Sequence, residues 1–164
     1  MSIMINQVAI ASEHAGYELK EYLKKHLMEM GYTVTDTGAQ SSEPTDYPDI
    51  AAELSIAVAG GMYDKGILIC GTGIGMSIAA GKVPGIRAAL CTDAFMSKMS
   101  VKHNNANILC LGGWITGTRL SAEITMAFLE AEFEGGRHER RITRIAEIEA
   151  DFRHRAASRG GGHE

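Results

Sequence analysis

Residues 66–76, Gly-Ile-Leu-Ile-Cys-Gly-Thr-Gly-Ile-Gly-Met, restrict the fold more than any other stretch of the chain. The run Ile67-Leu68-Ile69 is apolar throughout and reads as a buried strand. It ends in Cys70 and passes straight into Gly71-Thr72-Gly73-Ile74-Gly75, and the segment 76–80 that follows reads as helix. A thiol therefore sits where a strand hands over to a helix N-terminus. That end offers unpaired backbone N–H groups and positive potential, which bind anions and favour a thiolate. Such an arrangement can stabilise a developing oxyanion while the sulfur moves a proton.

The same alternation runs the length of the chain. Val8-Ala9-Ile10-Ala11 reads as a buried strand, and 17–30 as a helix with Leu19, Tyr22, Leu23, Leu27 and Met30 at three- and four-residue spacing. Gly31 stops that helix at its C-terminal side. A strand at 32–36, a polar loop over 37–48 and a helix over 49–59 lead to the strand at 66–70. Strands at 86–91 and 108–111 follow, with helices near 74–81, 93–102 and 118–133. Five strands alternating with helices imply a three-layer α/β/α sandwich, Rossmann-like, around a five-stranded parallel sheet. Right-handed crossovers bring every strand C-terminus, and any ligand, to one edge of that sheet. A charged helix over 140–155 has no place in the sandwich and is expected to pack on a partner subunit. Residues 1–152 read as one domain and 153–164 as a flexible tail.

Bulk properties exclude several classes. A length of 164 residues suits one domain with a full core. Net charge of −4 argues against a broad nucleic-acid surface. Cys70, Cys91 and Cys110 form no C-x-x-C pair and leave one thiol over in any disulfide scheme, which points to a reducing compartment. The N-terminus has neither a basic region nor a long apolar run, and no stretch reaches the length of a membrane span. The expectation is a cytoplasmic protein with no membrane contact.

The glycine loop fails the nucleotide patterns. Gly71 and Gly73 fit a dinucleotide fingerprint, but its third glycine position is Met76, and the loop follows the third strand rather than the first. Gly81-Lys82 is followed by Val83, so no phosphate-binding P-loop exists there. Alone, the G-x-G-x-G turn reads equally as a tight strand–helix connection with Cys70 as a small buried hydrophobe.

Other blocks narrow the reading. Ser12-Glu13-His14-Ala15-Gly16 closes the first strand, and Thr45-Asp46-Tyr47-Pro48-Asp49 opens the second helix. Residues 69–80 run on to Lys82-Val83-Pro84-Gly85-Ile86-Arg87-Ala88. His103-Asn104-Asn105-Ala106-Asn107 and Glu134-Gly135-Gly136-Arg137-His138 complete the set. Together, over about residues 7–150, these blocks closely resemble the ribose-5-phosphate isomerase B family, which also includes galactose-6-phosphate isomerase subunits.

The resemblance implies interconversion of a phosphorylated aldose and ketose through a cis-enediolate, with no cofactor and no metal ion. Cys70 matches the base that moves the proton between C1 and C2. The Thr72 hydroxyl stands beside it, and the backbone N–H groups of Gly71, Gly73, Ile74 and Gly75 match the cradle for the enediolate oxygen. His103 matches the residue that opens the sugar ring and Asn104 its sugar-binding neighbour. His14, Arg137 and Arg141 match phosphate ligands, and Tyr47 a sugar-hydroxyl contact. In the family His103 and Asn104 reach the site from a second subunit, so a homodimer or a dimer of dimers with shared sites is implied. His138 receives no role, Arg140 and Arg144 read as a solvated face, and Cys91 and Cys110 read as core.

Two positions depart from the family pattern. Glu13 stands where aspartate is usual; its longer carboxylate can bind a sugar hydroxyl or assist ring opening, at the expense of room for substrate. Trp114 stands where many members carry arginine, and an indole cannot pair with a phosphate dianion. The leading expectation is ribose 5-phosphate as substrate. The alternatives are the same chemistry on allose 6-phosphate, galactose 6-phosphate or a tetrose phosphate, or a non-catalytic sugar-phosphate-binding subunit.

Overall fold

Apolar side chains leave the strands on alternate faces, and a layer of helices covers each face. The computed structural model describes residues 7–41 and 43–159. Its strands are β1 (Gln7–Ser12), β2 (Thr33–Asp36), β3 (Lys65–Cys70), β4 (Ala88–Leu90) and β5 (Ile108–Gly112). All pair in parallel, in the order β2-β1-β3-β5-β4. The helices are α1 (Tyr17–Glu29), α2 (Tyr47–Ala59), α3 (Ile74–Ala80), α4 (Ala94–Asn104), α5 (Thr118–Leu129) and α6 (Arg137–Arg159).

Period-two alternation sorts the core into two halves. Val8, Ile10, Ile67, Ile69, Leu109 and Leu111 face a layer built from Leu19, Leu23 and Leu27 of α1, Val101 of α4, and Ile124 and Phe128 of α5. Ala9, Ala11, Leu68, Cys70, Ile108 and Cys110 face Ala51, Leu54 and Val58 of α2 and Met76 and Ala80 of α3. Each fully buried Leu or Ile contributes roughly 1.5–3 kcal/mol of transfer free energy, so these two layers dominate the stability. Sheet and layers are those expected from the sequence, and the differences lie at element ends. Pro48 falls within the first turn of α2, where its missing N–H costs nothing, so that helix starts at Tyr47. The fourth strand shortens to Ala88–Leu90 because the Arg87 N–H donates to the Asn107 side chain at 2.8 Å. Gly31, at φ +91°, ends α1 as the sequence implies.

Two lysines lie where a lysine is rarely buried. Lys20 of α1 has no exposed surface; its Nζ donates to Asp36 Oδ2 at 2.6 Å and to the Ala39 carbonyl at 2.8 Å. Burial opposes ionisation of Asp36, but the Lys20 and Lys24 ammonium groups and the Gly38 N–H outweigh it and hold the carboxyl below its usual range. The pair ties the loop after β2 to α1, and Gly38 then passes so close to Ser12 that a Cβ there would lie 2.4 Å from the Ser12 nitrogen. Tyr22 and Met30, expected on the core face of α1, are instead largely exposed.

Lys65, at the start of β3, donates to the Ala106 carbonyl at 3.0 Å, and its Nζ lies 4.3 Å from the Phe128 ring centroid. Burial, helped by the Arg87 charge, pulls its pKa down to about 8. The unfolded chain holds that proton up to about pH 10.4, so between these values the unfolded state binds more protons and stability rises with pH. Urea unfolding at pH 7 and pH 10 should therefore show the stability of the wild type gaining on that of Lys65→Met by at most about 3 kcal/mol. A difference that stays flat with pH would contradict a depressed Lys65.

Helix α6 runs farther than the 140–155 expected, from Arg137 to Arg159. The Gly85 N–H donates to Glu149 Oε2 at 3.3 Å, which sets α6 against the turn before β4. Ile145, Ile148 and Phe152 remain exposed on it. Of the tail expected to be flexible over 153–164, residues 153–159 continue α6, and 160–164 lie outside the described residues. No helix among the described residues is long and apolar enough to cross a membrane.

Candidate active site

The strand order reverses direction between β1 and β3, the point at which open α/β sheets bind ligands beyond the strand C-termini. Cys70 ends β3 on the face covered by α2 and α3 and is only 6% exposed. Its Sγ accepts the Gly73 N–H at 3.1 Å, which fixes the sulfur at the mouth of the loop. Thr72 Oγ1 accepts the Ile74 N–H at 3.3 Å. Two of the amides expected to face an oxyanion, those of Gly73 and Ile74, thus donate within the loop itself.

The loop requires its glycines for separate reasons. Gly73 has φ +78°, and a Cβ there would meet Leu90 at 2.5 Å and the Leu111 backbone at 2.9 Å. At Gly75 a Cβ would lie 2.8 Å from the Tyr47 ring, and at Gly71 it would lie 2.6 Å from the Trp114 ring. The two aromatic rings therefore flank the Cys70 loop, Tyr47 from the start of α2 and Trp114 from the turn after β5. The Trp114 N–H donates to the Gly71 carbonyl at 3.0 Å, which anchors that turn, and its side chain is 72% exposed.

Glu13 and His14 join this cluster from the end of β1. The Glu13 carboxylate is buried and already engaged: Oε1 accepts the Ala15 N–H at 3.0 Å, and Oε2 lies 2.6 Å from His14 Nδ1. It holds the imidazole and leaves the half-exposed His14 ring to face outward.

His103, Asn104, Arg137 and Arg141 are not in this cluster. They sit at the end of α4 and the start of α6, beside the strand N-termini. The Lys65 contact to Ala106 and the Glu134 N–H donated to the Lys102 carbonyl at 3.0 Å fix that location. Gly66 pairs with Ile108, whereas Cys70 pairs with Gly112, so the two edges stand four ladder steps, or about 13 Å, apart. Within one chain the residues expected at the site form two groups on opposite edges of the sheet.

Neighbours to which the sequence reading gives no role surround His103. Its ring stacks on that of His138, with centroids 4.2 Å apart and 6° between planes. Glu134 Oε2 faces His103 Nε2 at 3.7 Å and His138 Nε2 at 3.8 Å, while Oε1 pairs with Lys102 Nζ at 2.7 Å. That Lys102 contact, above all, lowers the Glu134 pKa. Burial lowers the His138 pKa, the positive charges of His103, Arg137 and Arg141 lower it further, and Glu134 opposes them. The i,i+4 spacing of Glu134 and His138 was the signal available in sequence. The burial of His138 was not.

Residues 8–145 match the profile of the family described as Ribose/Galactose Isomerase. The chain belongs to that family. It is 46% identical over 145 residues to ribose-5-phosphate isomerase B of Escherichia coli, covering 88% of this chain and 97% of that one. It is 42% identical over 151 residues to the D-erythrulose-4-phosphate isomerase of Pectobacterium atrosepticum, covering 90% and 97%. Among solved structures, ribose-5-phosphate isomerase B of Clostridium thermocellum superposes with a TM-score of 0.88 at 49% identity, over 89% and 99% of the two chains. The Mycoplasma genitalium ribose-5-phosphate isomerase B with bound ribulose 5-phosphate superposes with a TM-score of 0.85 at 39% identity, over 90% and 99%. The protein is an aldose–ketose isomerase, so the reading as a non-catalytic subunit is set aside.

The other two thiols of this isomerase are buried. Burial pushes the Cys91 thiol up to about 11 and raises that of Cys110 further, so both stay protonated at neutral pH. They are core, as expected.

Proposed function

We propose that this isomerase interconverts ribose 5-phosphate and ribulose 5-phosphate through a cis-enediolate, with Cys70 as the base. The observation that carries the reading is Cys70 Sγ held by the Gly73 N–H at the mouth of a glycine loop, at the strand C-termini where the strand order reverses. His103 opens the ring by proton transfer, since an imidazole exchanges protons near neutral pH. The Cys70 thiolate removes the proton from C2 of the open aldose and returns it to C1, while the hydroxyl proton passes from O2 to O1 beside Thr72. The negative charge that develops on oxygen is held by loop amides, and the Gly73 N–H can turn from sulfur to oxygen as that charge forms. Asn104 and Tyr47 bind sugar hydroxyls, and His14, Arg137 and Arg141 bind the phosphate.

The separation of the two residue groups supports a site completed by a second copy. His103, Asn104, Arg137 and Arg141 of one chain would meet Cys70 of its partner. Exposed Ile74, Ile78, Phe95, Met96 and Ile115 give the Cys70 edge an apolar surface of the kind that a second chain covers. Helix α6 then packs on the partner through Ile145, Ile148 and Phe152. No cofactor or metal enters the chemistry, and three unpaired thiols suit the cytoplasm.

One observation favours a smaller substrate. The Trp114 ring lies against Gly71, the residue after Cys70, where it supplies no charge to a phosphate. The likeness to a D-erythrulose-4-phosphate isomerase fits this second reading. Measuring kcat/KM for four-, five- and six-carbon aldose phosphates separates the two. Trp114→Arg should raise kcat/KM for ribose 5-phosphate relative to the four-carbon sugar by roughly tenfold, the value of one charge-assisted contact. An unchanged order of preference would show that Trp114 does not select the sugar.

A further inference from the structure

We propose that His103, Glu134 and His138 form a binding site for a zinc-class divalent ion, and that Zn2+ bound there inhibits the isomerase by withdrawing His103. The inhibition rests on the ring-opening role proposed for His103; the binding does not.

The ligand atoms already converge. One ligand atom from each of His103, Glu134 and His138 lies within 4.8 Å of the other two, and no other group of three such side chains does so among the described residues. The carboxylate oxygen is 3.7 Å from one imidazole nitrogen and 3.8 Å from the other. A tetrahedral ion at about 2.0–2.1 Å from each ligand spaces the ligand atoms about 3.3–3.4 Å apart, so each carboxylate–imidazole distance need close by under about half an ångström. Two histidines and a glutamate are a set that zinc accepts, with the fourth position open to water.

The surroundings present these atoms correctly. Lys102 Nζ engages Glu134 Oε1 at 2.7 Å, which orients the carboxylate and leaves Oε2 toward the imidazoles. Arg137 Nε donates to His138 Nε2 at 3.4 Å, so that nitrogen is presented with its lone pair, and an ion would replace this long contact. His138 is nearly fully buried and fixed, whereas His103 is part-exposed. The His103 ring must swing out of the parallel stack for both lone pairs to meet one ion, and that motion removes it from a sugar. The nearby Lys102, Arg137 and Arg141 charges repel a dication. They set the affinity for reversible inhibition rather than permanent occupancy.

Calorimetric titration of the full-length protein with Zn2+ should show one ion per chain with a micromolar dissociation constant. Co2+ in its place should give the visible absorption of a tetrahedral site. Glu134→Gln, an exposed isosteric change, and His138→Asn should each weaken binding at least tenfold and raise the half-inhibitory zinc concentration in parallel. Cys70→Ala should bind as the wild type does. Absence of saturable binding, or binding lost in Cys70→Ala and kept in Glu134→Gln, would overturn the site and leave the role of His103 standing. Saturable binding at this site with undiminished turnover would overturn the inhibition and count against the ring-opening role instead.

Discussion

Replacing Cys70 with Ala is expected to lower kcat by about a thousandfold while KM stays close to the wild-type value. The sulfur makes one directed contact, the Gly73 N–H at 3.1 Å, and otherwise packs among small and apolar neighbours on the α2–α3 face. Removing one buried sulfur leaves a small cavity, so melting temperature should fall by only a few degrees. Groups assigned to the phosphate and to sugar hydroxyls remain in place, which is why binding should survive when proton transfer does not. Isotope exchange is the sharper readout. In deuterated water the wild type should incorporate solvent hydrogen at C1 or C2 of the sugar, and the variant should not. Cys70→Ser should rescue little, because a hydroxyl stays protonated where a thiol ionises. Turnover within tenfold of wild type, in a variant that still binds substrate, would remove Cys70 from the role of base.

The fold could be read because its signals are local. Period-two alternation in 8–11, 67–70 and 108–111 decides which side chains face which layer, and Gly31 marks the end of α1 by its own conformation. The strand–loop–helix turn at 66–76 was legible from its own glycines, although the side chains that crowd them, Tyr47, Leu90 and Trp114, come from distant parts of the chain. What escaped depends on partners far along the chain. Lys20, between Leu19 and Leu23, reads as an exposed helix residue until Asp36 and Ala39 arrive from the loop after β2. The aspartate-to-glutamate change at position 13 reads as an added reach toward a sugar hydroxyl, yet its carboxylate turns back onto Ala15 and His14. Glu134 and His138 carry the resemblance in sequence, but their contacts appear only once α4 delivers Lys102 and His103 beside them. The division of the site between two edges follows from topology: each helix returns the chain to the strand N-termini, so a residue ending α4 cannot share an edge with one ending β3.

The most direct test of the shared site mixes two inactive chains. One carries Cys70→Ala; the other carries His103→Ala together with Arg141→Ala. In a dimer of either chain alone, every shared site would lack one half. If sites form between copies, a mixed dimer has one site with both halves intact and one with neither. Random pairing makes half of the dimers mixed, and each works at one of its two sites, so activity should recover to about a quarter of the wild-type level. Recovery should follow the rate of subunit exchange and be absent when the chains are kept apart. Activity that stays at the level of the two parents after complete exchange would contradict a site built from two chains.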